Sequence, residues 1–166
     1  MKETAYLSLG SNSGDRAQAI HNALDAVNAL PSTAVTRISD VYETTPLDME
    51  SPNKFLNAAA EIVTDLEPAA LLGELETIEK RLGRREKSTT KYVDRPIDID
   101  ILYYGSHTIT ERRLIIPHPR LHERSFVLIP LNQIAPFHID PVRRQTPAQM
   151  LERLAQGMAG VTHYEV

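Results

Sequence analysis

The chain has 166 residues, of which 42% are hydrophobic and 24% charged, and its formal net charge is -4. These values predict one globular domain over residues 1–166 and exclude disordered and fibrous classes. The negative net charge also argues against a general nucleic-acid binder, which needs a basic surface to displace counterions from phosphates.

The N-terminus runs directly into a strand-like pattern without an apolar targeting segment, and no apolar run reaches the roughly eighteen residues of a membrane span. The chain contains no cysteine, which excludes disulfides and is compatible with a reducing compartment. We therefore expect a soluble, cytoplasmic, monomeric protein without a membrane partner.

The first predicted element is a short strand at residues 6–9, followed by a glycine- and serine-rich turn at residues 10–14. A helix is expected from Asp15 and ends before Pro31, because apolar residues recur there at three- and four-residue spacing. These apolar residues are Ile20, Leu24, Val27 and Leu30.

Two strands are predicted next, at residues 35–42 and 55–63, because the first segment is rich in β-branched residues and the second alternates. The alternation assigns Leu56, Ala58, Ala60 and Ile62 to the face toward the core, and Phe55, Asn57 and Glu61 to the opposite face. The connection between the strands, residues 43–52, is longer than a hairpin requires, and such loops are often functional.

A second helix is predicted from Pro68 to the glycine cap at Gly83, with an apolar stripe along one side. A polar, basic segment and a period-two strand at residues 97–104 follow. Near the C-terminus, Thr146 and Gln149 have the spacing of a capping box and predict another helix. The order of strand, helix, two strands, helix and strand predicts an α+β ferredoxin-like βαββαβ sandwich, in which helices pack on an antiparallel sheet.

The most informative segment for function is the strand that carries Asp98 and Asp100. Alternate residues of a strand share a face, so both carboxylates point the same way while Ile97, Ile99 and Ile101 fill the other face. Paired carboxylates suit Mg²⁺ that also binds phosphates. A lone pair of this kind is more often a solvated strand face, and the basic context decides between the two interpretations. The surrounding basic residues are Arg84, Arg85, Lys87, Lys91, Arg95, Arg113, Arg120 and Arg124.

Two common nucleotide signatures are absent, because residues 10–15 form neither a P-loop nor a dinucleotide fingerprint. An ATP site must therefore be built differently, and residues 10–14 are equally compatible with a simple turn. The spacing of His118 and His122 could suit zinc on a helix, but Pro117 and Pro119 argue against a helix there.

Several segments together resemble the hydroxymethyldihydropterin pyrophosphokinase family, in unbroken order from about residue 5 to residue 136. The segments are residues 10–12, 42–47, 55–59, 78–84, 95–101 and 116–119. The resemblance implies transfer of the β,γ-diphosphate of ATP to 6-hydroxymethyl-7,8-dihydropterin in folate biosynthesis, with AMP leaving. Two rival interpretations are a two-metal nuclease and a non-catalytic small-molecule sensor.

The resemblance also implies a role for each matching residue. Asp98 and Asp100 would hold two Mg²⁺ ions, and Arg84 and Arg95 would stabilise charge during transfer. The implied ATP contacts are Glu79, Tyr92, Arg113, His118 and Arg124, and the implied pterin contacts are Thr44, Thr45, Leu47, Phe55, Asn57 and Phe126. Tyr92, Phe55, Glu76 and Pro119 depart from the commonest family pattern. Residues 84–94 are expected to form a lid that closes when both substrates bind.

Overall fold

The computed structural model describes residues 2–44, 53–83, 96–154 and 160–166. Within these ranges the strands are β1 (Glu3–Ser11), β2 (Thr33–Ile38), β3 (Val41–Thr44), β4 (Phe55–Thr64), β5 (Asp98–Tyr104), β6 (Ile109–Thr110), β7 (Ile115–Ile116) and β8 (Val161–Tyr164). The helices are α1 (Arg16–Asn28), α2 (Pro68–Arg81), α3 (Ser125–Ile134) and α4 (Pro147–Glu152). None of these helices is long and apolar enough to cross a membrane.

The main sheet has the strand order β5-β1-β4-β3-β8, and β2 also pairs with β4. Every pairing in this sheet is antiparallel. The short strands β6 and β7 form a separate hairpin. The predicted α+β class with helices packed on an antiparallel sheet is therefore confirmed.

The segment predicted as one strand at residues 35–42 is instead divided into β2 and β3, so that prediction was wrong. The division falls at Ser39, whose N–H donates to the Ala59 carbonyl at 2.9 Å while its hydroxyl accepts the Ala59 N–H at 2.8 Å. A side-chain oxygen thus replaces a main-chain acceptor, and the register also shifts between Val35 and Arg37. β-Branched composition carries no information about such an interruption.

The helix ends follow the predicted signals. Asp15 caps α1 by accepting the Gln18 N–H at 3.1 Å. Thr146 and Gln149 form the reciprocal bonds of a capping box at the start of α4, at 3.3 and 2.9 Å. Gly83 follows α2 with a φ of +104°, in the left-handed region that favours glycine.

One face of the sheet packs against α1 and α2 and forms the larger apolar core. The predicted core face of β4 is confirmed, because its four inward residues are fully buried. Residues from β1, α1, α2 and β5 complete this cluster. Burying each large side chain contributes roughly 1.5–3 kcal/mol, so this face fixes the strands that carry the site.

The opposite face is also covered, by a second apolar cluster beneath α3 and α4. This cluster includes Ala59, two residues from Asn57 on the same face of β4, and Asn57 itself is only 4% exposed. The sequence placed helices in the final third without assigning them to a face. The sheet therefore has helices on both sides, and polar residues of the second face lie beside a packed layer.

Candidate active site

The two carboxylates on β5 lie as the alternation predicts. Asp98 and Asp100 are partly exposed, whereas the intervening Ile99 and the following Ile101 are buried in the larger core. The prediction that both acids share a face away from the isoleucines is confirmed.

The backbone between the two acids is held by a buried carboxylate. Glu79 on α2 is 3% exposed, and its Oε2 accepts the Ile99 N–H at 2.8 Å. β5 lies at the edge of the main sheet, where backbone groups need partners other than a neighbouring strand. Glu79 thus fixes the strand that presents Asp98 and Asp100, and its implied contact with ATP stays a prediction.

One row of residues crosses the sheet from the acids to the amide of Asn57. Asp98 pairs with Gly10, Gly10 pairs with Asn57, and Asn57 pairs with Tyr42. Directly paired residues project to the same face, and two strand spacings separate Asp98 from Asn57 by about 10 Å at the backbone. A pair of carboxylates and a polar amide therefore face the same side of the sheet, two strand spacings apart.

Gly10 keeps the centre of this row open. A Cβ at this position would lie 3.0 Å from the Asn57 Oδ1 and 3.6 Å from the Phe55 Cδ1. The predicted turn at residues 10–14 therefore begins too early, because β1 extends to Ser11 and includes Gly10. The absent side chain leaves room between the acids and the amide.

The amide of Asn57 is oriented by Thr44. Its Nδ2 donates to the Thr44 Oγ1 at 3.1 Å, and both residues are 4% exposed. Thr44 pairs across the strands with Phe55, which is partly buried on the same face. Phe126 on α3 packs against the cluster that contains Ala59. The structure thus brings Thr44, Phe55, Asn57 and Phe126 to one face of the sheet.

A cavity of about 230 Å³ lies beside Asp100. It is lined by Leu72, Asp100, Ile101, Arg112, Arg113, Leu114, Ile115, His118 and Pro119. Three residues implied for ATP and metal binding, Asp100, Arg113 and His118, therefore meet in one cavity with apolar walls. Such a combination suits a flat base joined to charged phosphates.

Two polar residues of this cavity, His118 and Arg113, have identified partners. The His118 Nδ1 accepts the Arg120 N–H at 3.2 Å, so the proton of a neutral ring lies on Nε2. The His118 N–H donates to the Leu102 carbonyl at 3.0 Å. Arg113 is paired with Glu76 at 2.8 Å, which gives the unusual acid at position 76 a partner. The negative charge of Glu76 therefore offsets the positive charge of Arg113 at the cavity wall.

Arg124 lies at the start of α3, where its guanidinium carbon is 5.8 Å from the centre of the Phe126 ring. This contact joins a residue implied for ATP to one implied for the pterin. The remaining implied residues, Thr45, Leu47, Arg84, Tyr92 and Arg95, lie outside the described residues, as does the lid expected at residues 84–94.

Sequence reasoning missed several residues that shape the site. Gly10 was given no function, although the small residues Ser8 and Gly10 alternate on β1 in a way that leaves one face open. The apolar cavity walls carried no signal, because Leu72 and Leu114 look like ordinary core residues. Only their position around Asp100 distinguishes them.

Comparison with known proteins gives an independent indication of the family. The family model described as 7,8-dihydro-6-hydroxymethylpterin-pyrophosphokinase (HPPK) matches residues 6–136. The 2-amino-4-hydroxy-6-hydroxymethyldihydropteridine pyrophosphokinase of Bacillus subtilis is 41% identical over 134 residues, which cover 81% of this chain and 79% of that protein. The Porphyromonas gingivalis protein of the same name is 43% identical over 137 residues, or 80% of this chain and 90% of its own.

Longer proteins match only in part. A folate synthesis bifunctional protein of Arabidopsis thaliana is 46% identical over 129 residues, 78% of this chain but 26% of its own length. A Plasmodium falciparum HPPK-DHPS solved with pterin and p-hydroxybenzoate has a TM-score of 0.77 and 16% identity, covering 100% of this chain and 47% of that one. The latter likeness supports the fold. With the family match over most of its length, the chain belongs to the 7,8-dihydro-6-hydroxymethylpterin pyrophosphokinase family.

Proposed function

We propose that this chain transfers the diphosphate of ATP to 6-hydroxymethyl-7,8-dihydropterin, giving AMP and the pterin diphosphate in folate synthesis. The observation that carries the proposal is the row from Asp98 through Gly10 to Asn57. This row places the acids and an oriented amide on the same face of the sheet. The family match and the names of the bacterial relatives support the same reaction.

We further propose that the fold is a ferredoxin-like βαββαβ unit with added elements. If β2 and β3 count as one interrupted strand, the antiparallel order is fourth, first, third and second, and α1 and α2 share a face. We also propose that the protein functions as a monomer.

Asp98 and Asp100 would hold Mg²⁺, and two ions are expected between this pair and the phosphates. The residues fit a hard cation, because both carboxylates are partly exposed on one face and Asp98 is paired with a glycine. Mg²⁺ is commonly held by one or two carboxylates together with substrate phosphates. When bound, it would neutralise phosphate charge and favour displacement at phosphorus.

On the ATP side, the cavity beside Asp100 would take the nucleotide. Leu72 and Ile115 offer apolar surface to the base, while Arg113 and His118 offer donors to oxygen atoms. We propose that Glu79, Tyr92 and Arg124 complete the ATP contacts. Arg84 and Arg95 would donate to the phosphates during transfer, when negative charge moves toward the leaving AMP.

On the pterin side, Asn57 would bind the edge of the heterocycle, and the rings of Phe55 and Phe126 would stack on its faces. Thr44, Thr45 and Leu47 would complete this pocket. The bond between Asn57 and Thr44 holds the amide ready before a ligand arrives. An oriented buried amide discriminates strongly, because a ligand without the matching groups leaves it unsatisfied.

The reaction is an in-line displacement. The hydroxymethyl oxygen forms a bond to the β-phosphorus, the bond between this phosphorus and the oxygen of AMP breaks, and AMP leaves with that oxygen. Phosphoryl-type transfer needs little covalent help from the protein, so alignment by the two binding regions supplies most of the catalysis. Asp98 or Asp100 could accept the hydroxyl proton, but metal ligation competes for the same lone pairs, and the sequence identifies no dedicated general base.

The direct test incubates the protein with Mg-ATP and 6-hydroxymethyl-7,8-dihydropterin and separates the nucleotides. AMP should form in step with the pterin diphosphate and only when pterin is present. Pterin-dependent ADP would contradict diphosphate transfer. Binding of both substrates without turnover would favour the sensor, and hydrolysis of added DNA or RNA would favour the nuclease.

A further inference from the structure

One cation at the start of α1 joins three strands. Arg16 Nη1 lies 2.9 Å from the Glu43 Oε2 on β3 and donates to the Lys54 carbonyl at 2.8 Å. Its guanidinium carbon is 5.6 Å from the centre of the Tyr164 ring on β8. Arg16 therefore contacts the end of β3, the approach to β4 and the C-terminal strand.

These contacts lie at the two ends of the connection between β3 and β4. Glu43 immediately precedes Thr44, the last residue of β3, and Lys54 immediately precedes Phe55, the first residue of β4. One guanidinium thus links the residue before Thr44 to the residue before Phe55. A planar guanidinium presents several N–H donors in a fixed arrangement, which lets it bind a carboxylate and a carbonyl at once.

The pair is shielded enough to hold its geometry. The side chains of Arg16 and Glu43 are 24% and 23% exposed, and partly buried pairs are screened less by salt than exposed ones. Arg37, elsewhere on the sheet, has the same kinds of partner but is more exposed. It approaches the Glu61 carboxylate at 3.8 Å and donates to the Ile134 carbonyl at 3.2 Å, but its side chain is 62% exposed.

We propose that Arg16 is a positioning residue for the pterin, an inference that rests on the proposed function. By tying Glu43 to Lys54, it fixes the spacing between Thr44 and Phe55 and so holds the Thr44–Asn57 bond beneath the heterocycle. Arg16 contacts neither reactant in this scheme. Its loss should therefore weaken pterin binding and leave the nucleotide cavity, on the other side of Gly10, intact.

The test compares Arg16→Ala with Arg37→Ala, each of which removes a guanidinium bound to one carboxylate and one carbonyl. Calorimetry measures the affinity for the pterin and for a non-hydrolysable Mg-ATP analogue separately. Arg16→Ala should weaken pterin binding about tenfold, which corresponds to about 1.4 kcal/mol, with ATP affinity nearly unchanged. Arg37→Ala should change neither affinity.

Two further variants separate positioning from general destabilisation. Arg16→Lys keeps the charge but loses the planar fork, so its pterin affinity should lie between those of wild type and Arg16→Ala. If Arg16→Ala folds poorly, the pterin affinity of Arg16→Lys should still be lower than that of wild type. Glu43→Gln should add little to the loss in Arg16→Ala, because both changes remove the same link.

Unchanged pterin affinity in Arg16→Ala, or in Arg16→Lys if the alanine variant does not fold, would overturn the positioning role. Equal losses for pterin and ATP, or an equal loss in Arg37→Ala, would overturn it too. A wild-type protein that binds ATP but no pterin would instead reject the proposed function on which the inference rests.

Discussion

Two carboxylate sites flank the second face of the sheet, and they differ in what surrounds them. Asp98 and Asp100 are partly exposed on β5. Asp140 is fully buried, and its Oδ2 accepts the Tyr103 hydroxyl at 2.7 Å and the Arg143 guanidinium at 3.0 Å. Its Oδ1 accepts two backbone N–H groups, at 2.9 and 2.8 Å.

The surroundings set the chemistry of the buried acid. Burial alone would raise the pKa of Asp140, but the backbone N–H groups, the Tyr103 hydroxyl and the Arg143 guanidinium outweigh it and lower that pKa. Burial and the neighbouring Asp140 carboxylate raise the pKa of Tyr103, so its hydroxyl remains a donor. A carboxylate enclosed by four donors from its own chain stabilises the fold, whereas the accessible pair is the one we propose to bind a cation and phosphates.

The largest effect expected from this contrast is on turnover. Asp98→Ala or Asp100→Ala should reduce AMP formation about 10³-fold, because metal-assisted stabilisation of several kcal/mol is lost. The free energy of unfolding should change by less than about 1 kcal/mol, since neither side chain belongs to the core. Activity assays and urea denaturation measure both. Near-normal turnover in either variant would make the metal assignment wrong.

The converse result is expected at Asp140. Asp140→Ala leaves the Arg143 guanidinium and the Tyr103 hydroxyl without their partner, so the free energy of unfolding should fall by about 3 kcal/mol. The value of kcat, measured on the folded fraction, should be nearly unchanged. A variant as stable as wild type but inactive would reverse the distinction between the two carboxylate sites.

Asn57→Ala tests whether burial alone marks a structural role, because Asn57 is buried like Asp140 but is proposed to bind pterin. Loss of an amide that binds the heterocycle edge should weaken pterin binding by about tenfold or more, with little effect on ATP. Separate titrations of the two ligands check this split. Equal weakening for both ligands would indicate that Asn57 supports the sheet and has no specific role toward pterin.

The smallest effect concerns His138, whose ring packs 4.3 Å from the centre of the Tyr103 ring. Burial lowers the pKa of His138, although Asp140 acts in the opposite direction. The unfolded chain therefore takes up a proton below about pH 6.5 that the folded state resists. The stability that neutral His138 permits is present above that pH and is lost as the pH falls through the depressed folded pKa.

Asp140 adds a second loss of stability at lower pH, because its folded pKa is also depressed and its contribution disappears below about pH 4. His138→Phe should flatten the first loss and leave the second. Urea denaturation across this range measures both. If the first loss of stability persists unchanged in His138→Phe, another titrating group must cause it.

Local sequence signals predicted the parts of the fold that depend on local structure. The shared face of Asp98 and Asp100 follows from the strand period, and the helix start at Asp15 follows from the helix period together with the capping tendency of aspartate. The interruption at Ser39 depends on a bond to Ala59, twenty residues away. The contact of Arg16 with Lys54 depends on a still longer separation. Such features arise from tertiary pairing, which single-sequence patterns do not encode.

Position 10 restricts how this protein can change under selection. Any side chain there begins with a Cβ only 3.0 Å from the Asn57 amide oxygen, so even alanine should displace the group proposed to bind pterin. An inhibitor that occupies the space above Gly10 would therefore contact a position where resistance substitutions also weaken binding of the natural substrate. Resistance would have to arise at more tolerant positions around the site.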